Sequence, residues 1–373
     1  MTRSRTRFSD PPTVENVTAS AYTIPTDAPE SDGTLEWDST TLVVVQATAA
    51  GETGLGYTYA GPAAAQVVTG KLAGVVEGLD ATTPAASWAA MVHAIRNLGR
   101  PGLVATAISA VDIALWDLGA RLAGVPMAVA VGAVHAATPI YGSGGFTSYD
   151  DEQLAGQLAG WAEAAIPRVK MKVGRDPERD EHRLAVARGA IGEDVELYVD
   201  ANGAYSRKQA LGWAQRYADG GVRWFEEPVS SDDLEGLRLL RDRGPGCLDI
   251  AAGEYGYDLP YFHHMLEAGA VDCLQADVTR CGGVSALLRV SGLCDARTMD
   301  LSLHCAPQVS AQVGTAVWHL RHLEYFHDHV RIEGLAFDGV LSPEPGGLLR
   351  PDRSRPGLGL TLKSADLERY RAG

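Results

Sequence analysis

Residues 169–174 read VKMKVG, a short apolar run carrying two lysines, Lys170 and Lys172, one residue apart. On an extended strand alternate residues share a face, so both ammonium groups point to one side while Met171 points to the other. Burying a charge without a partner is costly, so that side must be lined by anions. Which anions, and in what fold, follows from the runs on either side.

From residue 138 onward short apolar runs alternate with helical segments. PIYGSG, RVKMKV, ELYVDA, VRWFEE, LDIAAGE, CLQAD, LSLHC and HLEYF read as strands, and eight such βα units predict a parallel (β/α) barrel. Three of these strands end in acid: Asp200, Glu226 and Glu254, spaced 26 and 28 residues apart, each about one βα unit. Consecutive barrel strands bring them together at the C-terminal mouth, where barrel active sites sit. Taken singly, an acid at a strand end serves as well to cap the following helix. Three in register repel one another unless a cation intervenes, and an all-carboxylate set with positions left open suits Mg²⁺. Asn202 and Glu227 stand beside this set as supporting polar groups, Asn202 also as a substrate contact.

Asp277 ends the next strand and His304 the one after it. A carboxylate against one imidazole nitrogen fixes the tautomer and makes the other nitrogen a general acid or base. Glu324 ends the eighth strand as the last inward acid.

The first hundred residues differ. LVVVQAT (42–48) is strand-like and is followed by the glycine-rich GETGLGY. Ile108, Val111, Leu115, Leu118 and Leu122 then form an apolar helical stripe that Gly124 and Pro126 stop. A chain of 373 residues fits a barrel of about 250 residues with a smaller domain. The expected division is an α+β capping domain over 1–135, a barrel over 136–326, and a Gly- and Pro-rich segment from about 327 to 373 that returns to the cap. The net charge of -15 argues against nucleic-acid or anionic-membrane partners. The apolar region 103–137 is interrupted by Asp112, Asp117 and Arg121, which favours a buried helix over a membrane span. MTRSRTRFSDPP lacks an apolar signal core, and five cysteines without a C-x-x-C pair fit free thiols in a reducing cytoplasm.

Together these runs resemble the enolase superfamily, and within it the mandelate racemase-like subgroup. SAVDIALWDL is similar to that family's helix leading into the barrel, VKMKVG to its K-x-K strand, and VDANGAYS, WFEEP and AAGE to its metal-ligand strands. LQADVTRCGG with HC resembles its Asp–His pair, and HLEYF its strand-eight acid. The resemblance implies a modified, (β/α)7β-type TIM barrel and one Mg²⁺ per site on Asp200, Glu226 and Glu254. It implies that Lys172 is the base on one face of the substrate α-carbon, with Lys170 contacting the carboxylate and lowering the Lys172 pKa. His304, oriented by Asp277, would serve the opposite face, and Glu324 would hydrogen-bond the enediolate. A homo-oligomer is also implied.

The expected reaction is Mg²⁺-dependent abstraction of the proton α to a carboxylate, leading to dehydration of a monoacid sugar (an aldonate). A racemase or epimerase of a 2-hydroxy acid is the alternative; a Schiff-base aldolase using either lysine, or a non-catalytic binding protein, is more remote. DVTR lacks the lysine of the muconate-lactonising branch, which argues against cycloisomerisation. Loops near residues 20–38 and 51–60 are expected to choose the substrate. Residues 20–39 carry five acids, Asp27 among them, and no Lys or Arg, which disfavours a second substrate carboxylate. Tyr141, Ser143 and Tyr255 are further expected substrate contacts.

Overall fold

The computed structural model describes residues 11–372. The first unit is an antiparallel meander of β1 (Asn16–Ser31), β2 (Glu36–Ala49) and β3 (Glu52–Tyr59), followed by helices that include Pro84–Ala94 and Leu103–Ala123. Residues 20–38 and 51–60, expected as loops, are therefore mostly strand. The glycines of GETGLGY explain the second difference. A Cβ on Gly54 would lie 2.2 Å from the Ala114 carbonyl oxygen, and one on Gly56 2.1 Å from that of Ala110. These glycines let the sheet lie directly on the 103–123 helix, a use of glycine for close backbone approach inside a strand.

That helix is apolar and long enough to cross a membrane by composition alone, yet most of it is buried within the protein. Its stripe of Ile108, Val111, Leu115 and Leu118 is core, and Gly124 ends it with φ 70°, the left-handed cap that glycine favours. The two acids that interrupt it tie the molecule together. Asp112 accepts the backbone N–H (2.9 Å) and hydroxyl (2.7 Å) of Ser285 in the barrel, although burial pushes its carboxyl up to about 7. Asp117 accepts from Leu55 N on β3 (2.7 Å), from Leu358 N near the C-terminus (2.5 Å) and from Arg121 (2.7 Å).

The eight expected strands all form. They are β4 (Thr138–Gly144), β5 (Arg168–Lys172), β6 (Glu196–Asp200), β7 (Val222–Glu226), β8 (Asp249–Ala252), β9 (Cys273–Ala276), β10 (Asp300–Leu303) and β11 (Leu320–Phe326). Neighbours run parallel in sequence order and β11 pairs with β4, closing the barrel. A helix follows each strand, the last being His327–Ala336. Register pairs Lys172 with Asp200 and Asp200 with Glu226, which sets these groups at one level of the mouth. Below them Tyr141, Tyr198 and Trp224 fill the interior as an aromatic floor.

Three short strands complete the chain: β12 (Phe337–Asp338), β13 (Leu348–Leu349) and β14 (Thr361–Leu362). β13 pairs with β4 of the barrel, β12 with β14, and Arg371 bridges to Tyr22 on β1. The tail thus contacts the barrel first and the cap last.

Gly56→Ala should destabilise the protein by about 1–3 kcal/mol in chemical denaturation, because the methyl group meets helix backbone that cannot rotate away. Gly74→Ala, where an added Cβ meets nothing within 4 Å, should be neutral or stabilising by up to about 1 kcal/mol.

Candidate active site

At the barrel mouth Asp200, Glu226 and Glu254 each bring a carboxylate oxygen within 4.8 Å of the others, and all three are buried. Asp200 and Glu226 end β6 and β7; Glu254 lies just past β8. Buried oxygens of Asn202 (Oδ1) and Glu227 (Oε1) beside them lack a hydrogen-bond partner. Burial pushes the Glu226 carboxyl up to about 7 against the pull of Lys170, and burial with three neighbouring acids drives Glu227 well above the ordinary carboxylate range. So many buried acidic oxygens at one point call for a cation, and an all-oxygen set fits Mg²⁺.

The two lysines supply the positive charge on the other side. Lys170 is fully buried, with Nζ 2.6 Å from Glu226, 2.8 Å from Glu324 and 3.5 Å from Asp200. Expected at the substrate carboxylate, it instead lies beneath the acids and does not line the cavity. Lys172 Nζ sits 2.5 Å from Asp200 Oδ2 and does face the cavity. Its pKa was expected to fall under the influence of Lys170. Burial, the largest influence, and Lys170 do press it down, but Asp200 with Glu254 and Glu324 together outweigh them and hold the ammonium above its ordinary range.

His304 closes the arrangement from β10. Its Nδ1 lies 2.8 Å from Asp277 Oδ2, and Asp277 is itself fixed by the Thr279 N–H (2.6 Å) and hydroxyl (2.7 Å). Nδ1 therefore donates, and Nε2 is presented 3.2 Å from both Glu254 and Glu324. Burial opposes a charge on this imidazole, but Cys305, Glu254, Glu324 and Asp277 hold its pKa well above the ordinary value. Just beyond the strand ends, Asn202, Glu227, Cys305 and Ala306 all have left-handed backbones, φ 39–51°. Such non-glycine conformations cost about 1–3 kcal/mol each and concentrate where geometry is imposed by function.

A cavity of about 350 Å³ lies between the cap and this mouth. The barrel side contributes Lys172, Asn202, Glu254, Tyr255, His304 and Glu324; the cap contributes Asp32, Leu35, Trp37, Ser39, Thr41 and Tyr59. The turn that carries Asp32 is seated tightly, since a Cβ on Gly33 would lie 2.3 Å from Ala201 O and 2.8 Å from Val173 O. Among the expected substrate contacts, Asn202 and Tyr255 line the cavity. Tyr141 belongs to the aromatic floor. Ser143 is buried and donates to Glu324 Oε1 at 2.6 Å, so it supports that acid. Asp27 pairs with His327 at 2.9 Å, away from the cavity lining.

Arg280 and Cys305 escaped the reading of the sequence. Arg280 lines the cavity 3.1 Å from Glu254 and 3.5 Å from Asp277. Its signal was the basic residue three places after Asp277, in the DVTR run examined only for a lysine. Cys305 Sγ lies 3.3 Å from Glu324 Oε2 and 3.4 Å from His304 Nε2.

Residues 22–132 match the N-terminal domain of mandelate racemase / muconate lactonizing enzyme, and residues 153–366 match the enolase C-terminal domain-like family. The chain is 32% identical to a 3,6-anhydro-alpha-L-galactonate cycloisomerase of Streptomyces coelicolor, covering 96% of this chain and 100% of that protein. It is 30% identical to an arabinonate dehydratase of Saccharolobus solfataricus, over 76% of this chain and 77% of that one. Among solved structures, a mandelate racemase/muconate lactonizing enzyme-like protein from Rubrobacter xylanophilus superposes with TM-score 0.95 at 61% identity, covering 97% of this chain and 100% of the other. A racemase from S. coelicolor with bound magnesium superposes with TM-score 0.90 at 30% identity, over 96% and 100% of the two chains. Fold, cap, acid cluster and matches agree: this chain is an enzyme-type barrel of the enolase superfamily and belongs to its mandelate racemase / muconate lactonizing enzyme family.

Proposed function

We propose that the protein removes the proton α to the carboxylate of a monoacid sugar and dehydrates it to a 2-keto-3-deoxy acid. The observation that carries this reading is the pairing of Lys172 and the His304–Asp277 dyad across one cavity that also meets the acid cluster. Their strands, β5 and β10, are three apart by the shorter way round the barrel. The groups therefore reach a bound substrate from different sides.

Mg²⁺ held by Asp200, Glu226 and Glu254 would supply Lewis-acid polarisation of the substrate carboxylate. The chain's own residues do the rest. Burial and Lys170 pull the Lys172 amine down while Asp200 holds it up, so Lys172 is free to take the α-proton when the charge of Asp200 is engaged elsewhere. The C–H electron pair passes into an enediolate, next to which stands Glu324, itself held from beneath by the Lys170 ammonium. His304 Nε2, its tautomer fixed by Asp277, delivers a proton to the departing β-hydroxyl, which leaves as water. The enol then ketonises.

The cap wall supports this substrate class. Ser39, Thr40, Thr41 and Tyr59 offer hydroxyls and Asp32 an acid, while the cationic Lys172 and Arg280 both belong to the barrel side. A sugar acid with a hydroxylated far end meets partners there; a second carboxylate meets Asp32. Relatives named for a galactonate derivative, an arabinonate and a rhamnonate support a monoacid, while others are named for the diacids talarate and galactarate or for galactarolactone, so the cap wall carries the choice. A second reading, racemisation or epimerisation of a 2-hydroxy acid, is favoured by the same two-sided arrangement of proton-transfer groups.

With Mg²⁺ and a library of sugar acids, a semicarbazide-reactive keto product is expected from an aldonate, and at least tenfold less from any aldarate; equal turnover would overturn the monoacid assignment. Exchange of the α-proton in D₂O without keto product would decide for the racemase. Lys172→Ala and His304→Ala should each lower kcat by about 10²–10⁴-fold, and full α-proton exchange in either variant would refute its role. EDTA should abolish turnover and added Mg²⁺ restore it, whereas Glu226→Gln should remain inactive after the same addition.

A further inference from the structure

Ligand-type side chains converge at a second place, behind the cap wall. Asp27 and Glu30 on β1 and His327, which begins the helix after β11, each bring a donor atom within 4.8 Å of the other two. Residues three apart on a regular strand point to opposite faces. Here the β1–β2 register shifts between Pro25 and Glu30, and the irregularity lets both acids turn toward the same imidazole.

The cluster is more than a surface patch of acids. Glu30 is fully buried; its Oε2 accepts the Trp37 indole N–H at 2.7 Å, and its Oε1 has no hydrogen-bond partner. Asp328, adjacent to His327 and also fully buried, takes Arg331 on Oδ1 at 2.6 Å and leaves Oδ2 without one. Burial and the charge of Asp328 push the Glu30 carboxyl up to about 8. A buried carboxylate oxygen with no donor is costly, and such a group calls for an explanation such as an ion.

We propose that Asp27, Glu30 and His327 form a second cation site, separate from the acid cluster at the barrel mouth, which takes a divalent ion of the Zn²⁺ type. One imidazole nitrogen with two carboxylates is a donor set that Zn²⁺ accepts, whereas Mg²⁺ prefers oxygen throughout. Two donors on one tetrahedral zinc stand about 3.4 Å apart, so rotation of the half-exposed Asp27 has to bring the set together. The ion would join the cap to the barrel: Asp27 and Glu30 precede the turn bearing Asp32 and Leu35, and His327 follows Phe326. All three of those flanking residues line the cavity, so an occupied site would hold its outer wall in place.

Equilibrium dialysis of the full chain against micromolar Zn²⁺, with millimolar Mg²⁺ in excess and metal counted by atomic emission, tests this. One zinc per chain is expected in the wild type and in Asp200→Asn, and none in His327→Ala or Asp27→Asn. Both of the latter positions are partly exposed, and a cooperative thermal melt checks that the variants fold. Absence of zinc from the wild type, or equal zinc in His327→Ala and Asp27→Asn, would overturn the site. So would its loss in Asp200→Asn or in Cys305→Ser, which would place the ion at the barrel mouth instead.

Discussion

Everything at the mouth of the barrel depends on one electrostatic constraint: buried carboxylates and buried ammonium groups must neutralise one another at a single level of the strands. Lys170 touches Glu226, Glu324 and Asp200, and Lys172 touches Asp200. Neither sign could be buried alone, since an isolated charge in a protein interior costs several kcal/mol even after relaxation. The register of β5, β6 and β7 is therefore fixed by charge as much as by apolar packing. A slip of one residue would turn the lysines toward the helices and strand the acids.

The same constraint divides the two lysines by role. Lys170, one strand period deeper and fully enclosed, is a permanent counter-charge sitting on the aromatic floor. Lys172 is at the cavity, where its partner Asp200 also belongs to the acid cluster. The state of one acid thus governs whether a neighbouring amine is held charged. In the proposed reaction, such a mouth would couple charge placement to proton transfer without any moving part.

Much of this was legible in the sequence. The eight strands were visible because they are short, mostly apolar runs alternating with helical segments, and the acids were visible because they end those runs at the spacing of one βα unit. Three features were hidden. Depth along a strand cannot be read from alternation, so Lys170, Tyr141 and Ser143 seemed to reach the substrate when they lie below or behind the site. GETGLGY looked like a loop because its glycines serve helix packing and not a turn. The cap residues at the cavity, Trp37, Thr41 and Tyr59, carry no local signal, as their position depends on how the cap rests on the barrel.

The fan of bonds on Asp117 has a bearing on how the chain folds. This buried carboxylate, raised by its burial and lowered by Arg121 and two backbone donors, draws one of those donors, Leu358, from 241 residues downstream. Arg121 also donates to Leu360 O at 2.9 Å. During synthesis the cap's central helix emerges early, yet its acid stays short of one partner until the whole barrel has followed. The cap is first in the order of the sequence and among the last parts to reach its final hydrogen bonding, a long-range closure of the type that slows folding.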